Sequence, residues 1–235
     1  MVKGAGEMGK KNKTCKLKSK RLILQTASLE EMEQLRDETD DEELKKAYQE
    51  MLDGCVEHPE QYAWYAAWKI MERQSGQVIG DCCFKGAPSE GTVEIGYGIH
   101  RDYEGKGYTT EAVKTLCEWA LAQDKVYFIL AETEADNVKS QRVLEKNDFH
   151  PMGKEGEEGP LFFREKGKSS WLAVYMCLGL SIGMSIGLSQ GNQALGMCLG
   201  MCVGICLGSA LDNTDKKNRE RCRERLLCPT VSKKS

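Results

Sequence analysis

Hydrophobic and polar residues recur with different spacings along the chain, and each spacing predicts a different element. Short apolar or alternating runs predict six β-strands, at residues 21–27, 62–71, 78–85, 91–100, 125–133 and 160–165. Apolar residues at helical spacing predict four helices, at residues 29–37, 40–54, 108–123 and 137–149. Alternation is strongest in 91–100, where Val93, Ile95, Tyr97 and Ile99 share one face and Glu94 lies on the other.

Turn and cap residues support these elements and set their order. Ser28 precedes the first helix and Glu31 follows three residues later, a pairing typical of a capping box. A turn at "QSGQ" lets 78–85 pair back against 62–71. The order is strand, two helices, three antiparallel strands, helix, strand, helix, strand. It predicts an α+β or mixed α/β layered domain.

Charged residues are distributed in blocks, which divides the chain further. Residues 1–19 are rich in lysine and glycine with little to bury, which predicts a disordered basic arm. Residues 30–60 carry thirteen acidic against three basic side chains, whereas 214–235 form a basic tail. The formal net charge of -3 averages these opposed blocks and therefore says little about partners.

The eleven cysteines and three histidines do not follow a metal-binding or disulfide pattern. There is no CxxC pair, so we expect no metal site. Cys198, Cys202 and Cys206 repeat every fourth residue among apolar neighbours and are interpreted as small packing residues. No signal peptide is recognised at the N-terminus, and together with the cysteine content this favours a cytoplasmic location.

A loop with two glycines, "HRDYEGKGYTTEA" at 100–112, connects a predicted strand to a predicted helix. Gly105 and Gly107 would let backbone amides at the helix start approach an anion, which the helix dipole favours. The other interpretation is an ordinary strand-to-helix turn. The third glycine of a dinucleotide fingerprint and the Gly-Lys-Ser/Thr of a P-loop are both missing.

Four motifs in order carry a resemblance to a known family: "RLIL", "GDCCF", "EIGYGIHRDYEGKGYTTEA" and "NVKSQRVLEKNDF". Residues 20–166 thereby resemble the GNAT superfamily of N-acetyltransferases, in particular the subgroup of ribosomal-protein N-terminal acetyltransferases. The resemblance implies a central, mostly antiparallel sheet flanked by helices. It also implies that strands 92–100 and 125–133 splay apart and that acetyl-CoA, the co-substrate, wedges between them.

The resemblance also implies which residues bind acetyl-CoA. Backbone amides of 103–108 would hold the pyrophosphate, with Asp102 standing where the wider family prefers Gln or Arg. Asn137 would contact the pantetheine arm, although it could equally cap a helix. The complete predicted set of cofactor-binding residues is Ile99, His100, Tyr103, Glu104, Gly105, Lys106, Gly107, Tyr108, Thr109, Asn137 and Ser140.

Direct attack of an amine on the thioester requires a polarised carbonyl, a base and a proton for the leaving thiolate. The backbone N–H near Ile99 could polarise the carbonyl, and Ser140 could pass the proton. Glu94 is the first choice of base, with His100 as the second candidate and Asp81 as a further option. The acidic helices of 30–60 could attract a cationic amine or could simply be solvated.

Residues 169–211 carry no charge and contain two glycine strings, with Gly every fourth residue from 179 to 191 and from 196 to 208. This pattern predicts a glycine-zipper helical hairpin over 167–213. Segments 171–189 and 194–211 are long enough to cross a bilayer, with basic residues outside both ends. Membrane insertion through 171–211 and self-association of a soluble hairpin both remain open.

The resulting functional hypothesis is an N-acetyltransferase that moves an acetyl group from acetyl-CoA to a primary amine of a small molecule or peptide. The alternative is a non-catalytic acyl-CoA-binding module that serves membrane anchoring or assembly. Neither hypothesis involves nucleic acid. In the membrane-bound version, the hairpin tethers a cytoplasmic catalytic domain to the inner face of the cell membrane.

Overall fold

The structure, a computed structural model, describes residues 14–168 and 170–227. The chain divides into two compact units, and the boundary between them falls between Glu165 and Lys166. The first unit is a sheet covered by helices, and the second is a pair of helices. The predicted basic arm lies largely outside the described residues, as does the end of the predicted basic tail.

Eight strands form one sheet in the described part of the first unit. They are β1 (Lys16–Lys18), β2 (Leu22–Thr26), β3 (Trp68–Glu72), β4 (Val78–Phe84), β5 (Thr92–Ile99), β6 (Phe128–Glu132), β7 (His150–Glu155) and β8 (Pro160–Glu165). Their spatial order is β1-β2-β3-β4-β5-β6-β8-β7. Within the described sheet β5 and β6 are parallel and the other neighbours are antiparallel.

Among the described residues, five α-helices belong to the first unit and two to the second. They are α1 (Leu29–Glu38), α2 (Glu42–Glu57), α3 (Tyr62–Tyr65), α4 (Tyr108–Ala122), α5 (Val138–Glu145), α6 (Trp171–Ser189) and α7 (Gln193–Leu227). The predicted capping box is confirmed, because the Glu31 backbone N–H donates to the Ser28 hydroxyl and the Ser28 N–H donates to the Glu31 carboxylate. The predicted mixed α/β class with a mostly antiparallel sheet and C-terminal helices is confirmed.

The apolar core of the first unit has two parts. The larger part packs α4 and α5 against the sheet through side chains that include Trp68, Phe84, Ile95 and Leu116. The smaller part joins α1, α2 and α3 around Met32. The two groups of helices hold the central strands in place, and one of these strands, β5, leads directly into the glycine loop.

Three segments differ from the predictions. Lys16–Lys18 form an edge strand on β2, so this part of the predicted disordered arm is ordered. Residues 62–65 are helical and β3 begins only at Trp68, because Pro59 starts a helical turn and the Tyr62 hydroxyl donates to the Ala27 carbonyl at 2.7 Å. β7 was not predicted, since its mostly exposed residues, with a proline and a glycine, show no alternating pattern.

In the second unit α6 and α7 run antiparallel and approach each other along their glycines. A Cβ atom on Gly200 would collide with the carbonyl oxygen of Gly179, and one on Gly183 would collide with that of Gly196. Asp212 of α7 accepts hydrogen bonds from the backbone N–H groups of Trp171 and Leu172, at 2.8 and 3.1 Å, and so caps α6. The predicted boundary after residue 213 is not a break, because α7 continues to Leu227.

Candidate active site

The central feature of the site is an opening between the two parallel strands. β5 pairs with β6 from Thr92 to Ile95, and the register ends at Ile95 opposite Ala131. β5 then continues to Ile99 along β4 alone. The two strands therefore separate at Gly96, as the predicted splay requires.

The backbone of β5 presents polar groups to this opening. Lys85 donates its N–H to the Glu94 carbonyl, and His100 donates its N–H to the Ile79 carbonyl, at 2.9 and 2.8 Å. Even-numbered residues of β5 therefore direct their backbone groups toward β4. Because these directions alternate along a strand, the N–H and C=O groups of Tyr97 and Ile99 point into the opening.

The glycine loop follows β5 directly and ends at the N-terminus of α4. Gly105 and Gly107 have φ angles of 71° and 78°, so the turn itself requires glycine at both positions. The start of α4 leaves the amides of residues 108–110 without partners inside the helix. The amides of Tyr103 and Glu104 donate to the carbonyls of His100 and Arg101 within the loop, and their predicted contact with pyrophosphate stays a prediction.

A cleft of about 570 Å³, here called the main cleft, lies between the glycine loop, the end of β5 and α5. Its lining includes three basic side chains, Lys139 and Arg142 of α5 and Lys146 directly after it. Lys139 forms an ion pair of 2.6 Å with Glu104 of the loop. The main cleft thus combines loop amides with positive charge, an arrangement suited to phosphate groups.

Seven of the predicted cofactor-binding residues lie together in the main cleft: Ile99, Glu104, Gly105, Gly107, Thr109, Asn137 and Ser140. The other four do not line it. The Tyr103 hydroxyl donates to Gln77, in the turn between β3 and β4, and the Tyr108 hydroxyl donates to Glu72 of β3. The Lys106 amine donates to the Asp102 carbonyl, and His100 is exposed at the end of β5.

Two hydroxyl groups meet at the inner end of the main cleft. The Ser140 Oγ lies 2.9 Å from the Tyr97 hydroxyl. Burial raises the pKa of Tyr97 to about 12, although its hydrogen bond with Ser140 opposes the shift, so this hydroxyl keeps its proton at neutral pH. Asn137 caps α5, because its side-chain oxygen accepts from the Ser140 N–H at 3.0 Å.

A second cleft of about 270 Å³, here called the inner cleft, shares Tyr97, Asn137 and Ser140 with the main cleft. It is also lined by Lys85, whose amine pairs with Glu94 on the opposite face of β5 at 2.5 Å. The inner cleft therefore reaches through the opening between β5 and β6. Its remaining lining includes three acidic side chains, Glu132, Glu134 and Glu158.

The candidate bases lie on the face of β5 that carries Glu94. Glu94 is ion-paired with Lys85, so its carboxylate has a fixed partner. Asp81 stands opposite Gly98 in the register of β4 and β5, and a Cβ on Gly98 would lie 3.7 Å from its Oδ1. Burial raises the pKa of the Asp81 carboxyl, and the charge of His100 opposes this shift.

Sequence reasoning identified Ser140 but missed its partner Tyr97, and it missed the basic side chains on and directly after α5 as site residues. The alternating pattern placed Tyr97 on the core face of a strand, but its contact with Ser140 joins positions 43 residues apart. Arg142 and Lys146 follow Lys139 at helical spacing, so a helical projection of 137–149 could have indicated a basic face.

Comparison with known proteins identifies the class to which this fold belongs. Residues 20–150 match the family described as the acetyltransferase (GNAT) domain, which is more than half of the 235 residues. The chain therefore belongs to the GNAT acetyltransferase family, and the predicted family is confirmed. The narrower resemblance to ribosomal-protein N-terminal acetyltransferases stays a prediction.

Individual relatives agree with this assignment. The uncharacterized N-acetyltransferase YjdG of Bacillus subtilis is 37% identical over 86 residues, which are 36% of this chain and 51% of the relative. The chain thus spans about half the length of that curated relative. An acetyltransferase structure from Agrobacterium tumefaciens superposes with a TM-score of 0.52 at 18% identity, covering 64% of this chain and 94% of the other, and shows the same fold.

Proposed function

We propose that the chain is an acetyl-CoA-dependent N-acetyltransferase that transfers the acetyl group directly to a primary amine. The observation that supports this proposal is the opening between β5 and β6, with loop amides at one end and the Tyr97–Ser140 pair at the other. Acetyl-CoA fits this arrangement, because its pyrophosphate needs amide donors and its thioester needs a polarising donor and an acid. It supplies the activated acetyl group.

Each polar group at the opening has a proposed role. The Ile99 N–H, directed into the opening, polarises the thioester carbonyl. The Ser140 hydroxyl donates a proton to the leaving sulfur and takes a proton from the Tyr97 hydroxyl, which in turn recovers one from solvent, so that both hydroxyls end the step protonated. The Asn137 side-chain amide nitrogen donates to the pantetheine arm, since the side-chain oxygen is already used by the Ser140 N–H.

For the base, the structure favours Asp81 over Glu94 and His100. Asp81 is a half-buried carboxyl on β4 opposite Gly98 of β5, and desolvation raises its pKa. Glu94 is ion-paired with Lys85, so its proposed role is to hold the Lys85 side chain at the inner cleft. Separate Asp81→Asn, Glu94→Gln and His100→Gln variants test the choice, since only the base variant removes the acid limb of the pH profile of kcat/KM.

The acceptor that best fits the inner cleft is a cationic amine. Glu132, Glu134 and Glu158 line the cleft, and Lys85 is its one basic lining residue among those described. A protonated amine is attracted by this surplus of negative charge and loses its proton at the base. The acidic surface of α1 and α2 adds to the attraction.

Release of free thiol from acetyl-CoA tests the catalytic proposal. The full chain is assayed with peptide N-termini, polyamines and aminoglycosides, and at least one class of amine is expected to accelerate release. The alternative function, a non-catalytic acyl-CoA-binding module, predicts tight CoA binding without thiol release for any amine. Ser140→Ala provides the control: it is expected to lower thiol release while CoA binding in the main cleft is kept, which separates chemistry from binding.

We also propose that α6 and α7 anchor the chain in a membrane. By length and composition, α6 and the apolar part of α7 could each span a bilayer. Large apolar side chains on both helices are exposed, including Leu178 at 51%, Ile182 at 59% and Leu199 at 60%. Such side chains are stable in lipid, whereas the close glycine contact supplies the packing that joins helices there.

Carbonate extraction tests the anchor. Membranes that carry the full chain are expected to retain it, and a version ending at Gly167 is expected to be released. Release of the full chain would contradict the membrane proposal and favour a soluble, self-associating hairpin. The molecular size of the released chain in detergent-free buffer then shows whether it self-associates, as the soluble alternative predicts.

A further inference from the structure

We propose that Arg21 and Glu111 form a brace that holds the glycine loop in its phosphate-binding conformation. Arg21 precedes β2, and Glu111 lies in the first turn of α4, ninety residues further along the chain. The Glu111 carboxylate accepts hydrogen bonds from the Arg21 backbone N–H and Nε, both at 2.7 Å, and from the Ser19 hydroxyl at 2.8 Å. These bonds fix the direction of the guanidinium group. The inference rests on the proposed binding of acetyl-CoA.

The guanidinium group also bonds to the loop itself. Its Nη1 donates to the Lys106 carbonyl oxygen at 3.0 Å. A trans peptide unit is planar, so the C=O of Lys106 and the N–H of Gly107 point in opposite directions. With the carbonyl held toward Arg21, the Gly107 N–H is turned to the other side, where Gly107 lines the main cleft. Arg21 thereby orients one of the donors available to pyrophosphate.

A brace is needed because the loop is intrinsically free to change. Gly105 and Gly107 adopt positive φ angles, and glycine reaches negative φ with little cost, so the peptide unit between Lys106 and Gly107 can rotate. Rotation would direct the Gly107 N–H away from the cleft. The hydrogen bond from Arg21 opposes that rotation, and it is lost when the peptide turns.

Two further contacts hold the brace in place. The Arg21 guanidinium lies 4.4 Å from the centre of the Tyr108 ring, and the Tyr108 hydroxyl donates to Glu72 at 2.5 Å. Burial raises the pKa of Glu111, but its hydrogen bonds from Arg21 and Ser19 outweigh burial and the pKa lies below its ordinary value. The carboxylate is therefore ionised at neutral pH, where it can hold Arg21.

The brace can be distinguished from a direct contact between Arg21 and phosphate. If Arg21 acted only through its positive charge, removing the negative charge of Glu111 would strengthen the binding of an anion. If Arg21 acts by orienting the loop, the same change weakens binding, because the guanidinium loses its anchor. The variant Glu111→Gln therefore separates the two roles by the sign of its effect.

The test measures calorimetric binding of CoA and of pantetheine, which lacks the pyrophosphate, to the full chain. Arg21→Lys and Glu111→Gln are expected to bind CoA roughly tenfold more weakly, the effect of one lost hydrogen bond to a charged group. Their affinity for pantetheine is expected to equal that of the unmodified chain. The matched control Glu118→Gln removes a charge from the exposed part of the same helix and leaves both affinities unchanged.

Any result that differs from these expectations overturns a specific part of the proposal. CoA binding by Glu111→Gln that equals or exceeds that of the unmodified chain overturns the brace. An equal loss for pantetheine also overturns it, because such a loss reports general damage to the cleft. An unmodified chain that binds no CoA overturns both the proposed function and the brace. Binding of CoA without acetyl transfer overturns only the catalytic part and leaves the brace standing.

Discussion

The two units of the molecule bury opposite kinds of residue. In the first unit the large side chains are inside, with Trp68, Phe84 and Phe128 at most 1% exposed. In the second unit the buried positions are mostly glycines, such as Gly183 and Gly204, while the large apolar side chains point outward. Water drives the first arrangement, since it removes apolar surface from solvent. The second arrangement is the one expected where the solvent is itself apolar, and the proposed membrane anchor rests on this contrast.

Reciprocal substitutions in the two interiors should give the largest effects. Phe84→Ala empties a packed site of the first unit and is expected to lower its stability by about 3–5 kcal/mol. Gly200→Leu drives a side chain into the Gly179 carbonyl and is expected to separate α6 from α7. Thermal unfolding followed by near-ultraviolet circular dichroism reports the first change, and amide hydrogen exchange of α6 and α7 reports the second.

The control for the glycine contact is Leu199→Ala, which shortens an outward-facing side chain of the same helix. It should leave hydrogen exchange in α6 unchanged. Equal exchange in Gly200→Leu and the unmodified chain would show that the two helices do not depend on close approach, and the contrast between the interiors would then be lost.

A charge placed on the exterior should have a large effect in the second unit and almost none in the first. Ile182→Lys puts an amine among the outward-facing side chains of α6, and a lysine at the centre of a bilayer costs about 2.5–3.5 kcal/mol. This variant is expected to lose resistance to carbonate extraction. Val56→Lys, at a position 66% exposed in the first unit, should change stability by less than about 0.5 kcal/mol. Unchanged membrane retention of Ile182→Lys would show that the side chain at position 182 does not face the bilayer core.

Catalysis should depend on the first unit alone. Ser140→Ala removes one hydroxyl of the pair at the cleft and is expected to lower kcat by about a hundredfold with little change in KM, as for a lost general acid. Ser185→Ala, in the second unit, should leave both constants unchanged. A matching loss from Ser185→Ala would mean that the second unit takes part in the reaction.

Acid should weaken the first unit through Glu111. Because hydrogen bonds hold the pKa of this carboxyl below its ordinary value of 4.5, the carboxylate stabilises the fold above that pH and the contribution is lost as pH falls through the lowered value. Glu111→Gln is therefore expected to be less stable than the unmodified chain at neutral pH, with the difference shrinking in acid. Urea midpoints across this range measure the difference, and a constant difference would contradict the linkage.

The smallest expected effect concerns the ion pair between Glu104 and Lys139 at the main cleft. The hydrogen bond from Lys139 lowers the pKa of Glu104, and the side chains of both residues are solvent-accessible. Glu104→Gln releases the lysine for phosphate and is expected to lower the KM for acetyl-CoA by about twofold at low salt, as expected for an exposed pair. The effect should vanish at high salt, and its persistence there would exclude a charge effect.

Local patterns in the sequence were sufficient for much of the fold. The capping box of Ser28 and Glu31 involves residues three apart, and the alternation of 91–100 states directly which side chains face the core. The glycines of the loop and of the C-terminal helices were visible as spacings. Such features are predictable because the interactions that produce them join residues within one or two turns.

Contacts between distant residues were decided only by the tertiary structure. Tyr97 meets Ser140, Arg21 meets Glu111, and Asp212 caps α6 across 40 residues or more. The strand Lys16–Lys18 and the helical turn at 62–65 likewise depend on neighbours elsewhere in the chain. The sequence by itself determined most of the elements, the family and the loop. Packing determined which hydroxyls, carboxylates and amides face one another, because side chains far apart in sequence acquire a mutual geometry only when the elements carrying them assemble.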